Sequence, residues 1–429
     1  MTSQGPYLFL QGPASPLFSM IAENLTRAGH TCYRINLNFG DQLFWSRGEA
    51  VNYRGRPQNW GNFIRKFLKD QDIKTIILFG EERPYHQEAI MAAKAHGIAI
   101  VAIEMGYLRP DWVTVEMNGT SSNSHFPNEP GVILSAAALL PEIDRTPRYR
   151  QTFLAEALYD LAYYLPSVFF RPLYPHYQRH SLFHPLVEYA GWILQLATKQ
   201  HRASKAQEML FALKKADQPW FVYPLQLETD FQLRAHSPYR SQKQAIAEVL
   251  TSFASFAPGN TRLVIKVHPL DNGLISWRRF IDKMSKKLSI GDRVDYFGAG
   301  DLAALISGCS GIVTVNSTAA LHGISDGIPA KVLGTAIYDV AGMTDQKKLD
   351  QFWQDPQKPN KELAAAFYRL LAASIQVRGN LSSKAGSSAA AEGIAVRILD
   401  GTVNSPGGDS GHAPRKKPEK HSPRLYLEA

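Results

Sequence analysis

Short apolar runs closed by turn residues alternate with stretches of helical periodicity, and this alternation constrains the fold more than any other feature of the chain. "YLFLQ" (7–11) ends at Gly12-Pro13, "SPLFSMIAENLTRAGH" (15–30) repeats as a helix, and "TCYRINLN" (31–38) reads as a strand. The same rhythm continues through 59–71 (helix), 73–80 (strand), 85–97 (helix) and 98–104 (strand). Apolar runs too continuous for a half-solvated strand, joined through helices, predict a parallel sheet covered on both faces. The rhythm restarts near residue 200, with strands expected at "WFVYPLQ", "TRLVIKVHP", "RVDYFG", "GIVTVNS" and "IPAKVLG" and a helix between each pair.

A chain of 429 residues is long enough for two such domains, and 45% hydrophobic residues supply two cores. The expected organisation is an α/β, GT-B-like pair of Rossmann-like domains whose parallel sheets face each other across a cleft. Residues 1–200 form the first domain, including an aromatic-rich connection at 161–200. Residues 201–345 form the second, 346–400 are C-terminal helices, and 401–429 are a basic, Pro/Gly/Ser-rich tail expected to be disordered. No stretch reaches the roughly 20 apolar residues that span a bilayer. The N-terminus lacks a basic leader, and Cys32 and Cys309 lie far apart without ligand-spaced partners, so a cytoplasmic protein without disulfides is expected.

The net charge of +9 suits anionic lipid, a nucleotide-activated substrate or nucleic acid, and charge alone does not choose. Residues 161–200 hold nine aromatics interleaved with Arg171, Arg179 and the histidines 176, 180 and 184. They read either as a hinge and core helix or as a surface seated at a lipid boundary. Arg415-Lys416-Lys417 could add attraction to an anionic leaflet.

Polar groups gather where strands end, which is where α/β sheets bind ligands. Gly12, beside Gln11, would let backbone approach a ligand, although a plain tight turn uses the same residues. Glu104, followed by Gly106, Tyr107, Arg109 and Asp111, could serve as an acid, or could pair with Arg109. His268-Pro269 closes another strand with Lys266 on the same face, and a satisfied core histidine is the alternative. Asn316-Ser317-Thr318 opens a helix, fit for an anion or for a helix cap. Gln226 and Asp230 stand four apart just past a strand. Glu104 and Asp230, from opposite domains, could flank a glycosidic centre, one protonating and one attacking. No P-loop, HExxH, GxSxG or CxxC occurs, and neither a metal nor a metal-clamped diphosphate sugar is expected.

With "FLQGP", "EMGYLRPDW", "QLETD", "KVHP", "NSTAALHG" and "KVLGTAIYDVAGMT" in this order, the chain resembles the capsular polysaccharide β-Kdo transferases of the KpsS type over residues 7–355; KpsC-type enzymes are relatives. The resemblance implies a retaining GT-B glycosyltransferase with no cofactor. It would take Kdo from CMP-β-Kdo and start the poly-Kdo linker on a lysophosphatidylglycerol-type acceptor. It would do so at the cytoplasmic face of the inner membrane, alongside other capsule biosynthesis and export proteins. On that likeness Asp230 is the nucleophile, Glu104 the acid/base, and His268 lies near the CMP phosphate or the Kdo carboxylate. Ser317 and Thr318 match the phosphate-binding helix start, and Gln11 lines the acceptor side. Relatives often carry two glutamates before Gly-Tyr, whereas here the second position is Met105. The rivals are a GT-B enzyme using CMP-sialic acid or a UDP-sugar, and a non-catalytic component of a capsule assembly complex. A nucleic-acid binder has only the charge in its favour.

Overall fold

The computed structural model describes residues 5–47, 50–179, 181–408 and 411–421. The chain divides into two compact units. The first comprises Met1–Pro127, Ala136–Ser181 and Tyr368–Pro414; the second comprises Asn128–Ser135, Leu182–Phe367 and Arg415–Ala429.

The first unit begins with strands β1 (Tyr7–Phe9), β2 (Cys32–Asn36), β3 (Ala50–Asn52), β4 (Thr75–Phe79), β5 (Ala99–Met105) and β6 (Trp112–Met117). Strands β1 to β5 run parallel, and β6 turns back antiparallel to β5 with Glu104 opposite Thr114. The sheet is therefore mixed, not wholly parallel. The turn between β5 and β6 is tight enough that a Cβ on Gly106 would collide with the Trp112 carbonyl, whose oxygen accepts from the Gly106 N–H. Helices Trp60–Asp70 and Pro84–Ala95 cover one face around Trp60, Ile64, Ile76 and Ala89. Helix Leu17–Arg27 covers the other with Phe18, Ile21 and Leu25.

The second unit holds β7 (Trp220–Pro224), β8 (Arg262–Lys266), β9 (Val294–Phe297), β10 (Gly311–Thr314) and β11 (Ala330–Val332), all parallel in the order β11-β10-β7-β8-β9. Its core packs Phe221, Ile265, Leu250, Phe253, Trp277 and Trp353. The buried Trp353 indole N–H donates to Ser252 Oγ at 2.8 Å, so the ring is held without an unpaired donor.

After this sheet, helix Lys361–Ser374 leads the chain back into the first unit. There β12 (Gln376–Arg378) pairs antiparallel with β6, giving the order β12-β6-β5-β4-β1-β2-β3. Helix Lys384–Leu399 then packs Ala390, Ala391, Ile394 and Ile398 into the same core as Phe18 and Ile21. The sequence reading ended the first domain at 200 and the second at 345, and set 346–400 apart as C-terminal helices. Instead, 161–181 belong to the first unit, 182–200 to the second, and 368–414 complete the first.

The tail also differs from its expected disorder. Within the second unit, residues 415–421 are fixed by hydrogen bonds: Arg415 donates to Ile337 O, Lys416 O accepts from Thr335, and the His421 N–H donates to Pro238 O. Residues 422–429, and His180 of the aromatic stretch, lie outside the described residues.

Candidate active site

Each sheet has a topological switch point, where the chain begins building on the other side of its first strand. In the second unit this lies between β7 and β10, and the polar residues anticipated there converge on it. Gln226 Nε2 donates to Asn316 Oδ1 at 2.8 Å, while its Oε1 accepts from the Asn316 N–H at 3.2 Å. Asn316 Nδ2 reaches Gln232 O at 2.8 Å and His236 O at 3.2 Å. Two amides 90 positions apart thus tie the β7 loop to the β10 loop. Both were expected to touch substrate; the polar atoms bonded here hold the site's walls.

Asp230 begins the short helix Phe231–Ala235 that this clamp holds, and its carboxylate accepts from Gln232 N at 2.8 Å. The neighbouring Arg234 donates to Thr229 O, and the Asp230 charge offsets part of the burial that lowers the Arg234 pKa. Glu228 is bound instead to the start of the next helix, accepting from Gln242 N at 2.8 Å, and burial raises its pKa. Across the switch point, Ser317 Oγ accepts from Ala319 N, and its backbone is fixed by Thr314 Oγ1 and the Tyr338 hydroxyl. Ser317 therefore caps the helix, and Thr318 makes no side-chain capping bond.

Lys266 and His268 stand at the end of β8, the strand next to β7. Lys266 is 3% exposed, its ammonium donates to Val267 O at 2.8 Å, and burial pushes its pKa down to about 8. His268 Nδ1 accepts from Leu270 N at 3.1 Å, which leaves Nε2 as the ring's donor position. It is a half-buried turn histidine, not a core one, and the following Pro269 is exposed.

Lys266 titrates near physiological pH, which gives a pH prediction. An anion held by Lys266 needs its charged form, so under the CMP-activated donor proposed below affinity for CMP should fall about tenfold between pH 7 and pH 9. Lys266→Met should flatten that dependence, as titration calorimetry would show. The sign for stability is opposite. Between about 8 and 10.5 the unfolded chain holds a proton the folded chain has lost, so this group adds stability as pH rises.

The basic tail reaches this region. The Lys420 ammonium donates to the carbonyls of Arg234, Ser237 and Tyr239, clasping the segment whose His236 carbonyl binds Asn316. Lys420→Ala should cost about 1 kcal/mol, at the low end for a charge-assisted bond near solvent. Amide exchange should quicken over 234–239; unchanged exchange there would show that the clasp does not hold the loop.

In the first unit the switch point lies between β1 and β4. Gln11 is buried, and its Nε2 donates to the Tyr163 and Tyr177 hydroxyls at 2.9 and 3.0 Å. Tyr163 in turn donates to Asp41 Oδ1 at 2.9 Å, and Asp41 pairs with Arg34 at 3.0 Å, both wholly buried. Burial and the adjacent Asp41 carboxylate push the Tyr163 phenol well up, so it remains a donor. The aromatic segment is thereby fastened by its hydroxyls, with Tyr174 adding bonds to Gln42 and Asn52. Gly12 serves packing more than ligand approach, because a Cβ there would meet the Phe18 ring at 3.0 Å.

Glu104 ends β5 with its carboxylate over Gly80; a Cβ on Gly80 would lie 2.9 Å from Glu104 Oε1 and 3.8 Å from Arg83 Nε. Arg83 also donates to Gly12 O at 3.3 Å, which joins the segments that follow β1 and β4. Tyr107 and Arg109 turn elsewhere: the Tyr107 hydroxyl accepts from Ser121 N at 3.3 Å, and Arg109 Nε donates to Gly106 O at 3.3 Å. Asp111 is buried and accepts from the Arg148 and Tyr149 amides.

"GEERPYH" (80–86) escaped the sequence reading, although two glutamates and an arginine directly after a buried strand mark such a site. Glu81 is buried, raised in pKa by desolvation, and accepts from Thr120 N at 2.8 Å. His86 donates from Nδ1 to Gly80 O at 2.6 Å, and burial pushes its pKa down to about 3, leaving it neutral. One triplet was also missed: Asp70-Gln71-Asp72 is a DxD pattern, but it precedes β4 at the opposite end of the sheet. Asp70 pairs there with Lys66 and Asp72 with Lys74.

Two α/β units, each with polar side chains assembled at its switch point, define the GT-B-like class of folds, in which ligands bind at the carboxyl ends of the strands. Residues 74–381 match the family described as capsule polysaccharide biosynthesis protein, and the chain belongs to that family. It is 33% identical over 373 residues to the capsule polysaccharide export protein KpsS of Escherichia coli, covering 86% of this chain and 95% of that one. It is 31% identical over 387 residues to the capsule polysaccharide modification protein LipB of Neisseria meningitidis serogroup A, covering 88% and 91%. Among solved structures it is similar to Thermosulfurimonas dismutans KpsC, beta Kdo 2,7 transferase, at 13% identity and a TM-score of 0.43, over 92% of this chain and 99% of that one.

Proposed function

We propose that this protein is a retaining glycosyltransferase that moves Kdo from CMP-β-Kdo to a lysophosphatidylglycerol-type lipid and so starts a poly-Kdo linker. The observation that supports the reading is the second unit's switch point, where the Gln226–Asn316 clamp ties together the loops that carry Asp230 and Ser317, at the same carboxyl ends of the sheet as Lys266 and His268. A CMP-activated acidic sugar brings a phosphate and a carboxylate. An ammonium and an imidazole N–H are the donors such anions require, without a cofactor.

In this reading the Asp230 carboxylate attacks the anomeric carbon as the bond to CMP breaks. The acceptor hydroxyl then displaces Asp230 while Glu104 takes its proton, so two displacements return the starting configuration. Gln11 and its tyrosines shape the acceptor side. The lipid acceptor puts the reaction at the cytoplasmic face of the inner membrane, next to the other capsule biosynthesis and export proteins.

Mass spectrometry of products from CMP-Kdo and a fluorescent lysophospholipid tests the reading. One added Kdo supports it. Transfer from CMP-sialic acid or a UDP-sugar instead, or no transfer from any donor, overturns it in favour of a different enzyme or of a non-catalytic assembly role.

A further inference from the structure

Helix Pro185–Ala197, in the second unit, presents its apolar side to solvent. At 100° per residue, Val187, Leu186, Ala190, Ile193, Leu194 and Ala197 share one arc of about 120°. All six are exposed, Ile193 and Leu194 by 67% and 70%. The opposite side is seated: a Cβ on Gly191 would lie 2.5 Å from Asn272 O, and one on Gly273 would strike Gln195 Nε2. An ordinary surface helix has the reverse arrangement. The arc contains no charge, no aromatic ring and no arginine, the residues that anchor protein–protein interfaces.

The next helix, Lys199–Lys215, follows without a loop, because Thr198 closes one helix and opens the other. Arg202 locks the junction, donating to Gln195 O at 2.6 Å and to Gly298 O at 3.0 Å. Lys199, His201, Lys205, Lys214 and Lys215 are exposed on it, against a single acidic residue, Glu208. No helix among the described residues is long and apolar enough to cross a membrane. An aliphatic arc beside a basic helix instead suits the headgroup boundary of an anionic bilayer.

We propose that helix Pro185–Ala197 docks this protein on an anionic phospholipid bilayer, with its aliphatic arc inserted and helix Lys199–Lys215 against the headgroups. The choice of lipid as occupant rests partly on the lipid acceptor of the proposed function. The anionic lipid is taken as phosphatidylglycerol in the test.

Flotation of the full chain with vesicles of phosphatidylglycerol and phosphatidylcholine, or of phosphatidylcholine alone, tests it. The wild type should float with the anionic vesicles and less so at high salt. Ile193→Glu with Leu194→Glu should weaken binding at least about 30-fold, and Lys199→Glu with Lys205→Glu should reduce both binding and its salt dependence. Transfer to a short-chain, monomeric acceptor should be unchanged in both double variants. Unaltered flotation of the Ile193/Leu194 variant overturns the proposal. So does a wild-type dimer in sedimentation that this variant makes monomeric, since a second copy then covers the arc. A wild type that floats as expected but transfers Kdo to no acceptor sinks the enzymatic reading and leaves the docking surface standing.

Discussion

Replacing Asp230 with alanine should lower Kdo transfer by about 10³-fold or more, the scale of losing a covalent nucleophile. Alanine alone is an ambiguous variant, because Asp230 also caps helix Phe231–Ala235 and a lost cap costs about 1 kcal/mol. Asparagine resolves this. It caps a helix as well as aspartate but cannot form the glycosyl ester, so Asp230→Asn should match alanine in lost activity while unfolding like the wild type. CMP affinity should stay within a few-fold in both. Full transfer by the asparagine variant would refute the nucleophile. Glu104→Gln should cost about 10²–10⁴-fold, the range for a general acid–base group, and should remove one limb of the pH–rate profile.

The second large effect concerns the first unit. Asp41→Ala leaves the Arg34 guanidinium buried with no carboxylate opposite, where burial already lowers its pKa and Asp41 opposes that shift. A severed buried pair costs about 3–5 kcal/mol. Urea unfolding should show this loss, together with weaker acceptor binding, since Asp41 holds Tyr163 and Tyr163 holds Gln11. Arg34→Met combined with Asp41→Leu should recover only part of the stability, since the Tyr163 hydroxyl and the Leu37 N–H lose their acceptor, and should not recover the binding. A single-variant loss below about 1 kcal/mol would show that the pair is not what braces the sheet.

The same two regions show what a sequence can and cannot carry. The strand ends were legible because punctuation marks them: Gly12-Pro13 after "YLFL", Gly80 after "TIILF", His268-Pro269 after "LVIK". Buried central strands of a parallel sheet are nearly all apolar, so each polar interruption stands out. Strands β3 and β12 were not legible, being three residues each and only partly apolar, and β6 has no assignment from the sequence. The Gln226–Asn316 clamp and the Gln11–Tyr163 bond were invisible for another reason. Each joins residues 90 or more positions apart, and neither amide differs locally from a solvated one. Arg34 within "CYRIN" draws no comment in the sequence, yet it is 3% exposed and paired with Asp41. The aromatic stretch 161–200 divides between the two alternatives: Tyr163, Tyr174 and Tyr177 are hydrogen-bonded within the first unit, while the aliphatic residues after them lie outward.

The late return of the chain bears on how the protein is made. Because Val377, Ala390, Ile394 and Ile398 belong to the same core as Phe9 and Ile21, the amino-terminal unit cannot close its core while the ribosome is still translating the middle of the message. Its sheet must wait, one face uncovered, until some 400 codons have been read. A fragment ending at residue 181 should therefore emerge insoluble, and co-expressing residues 368–414 as a separate polypeptide should rescue it.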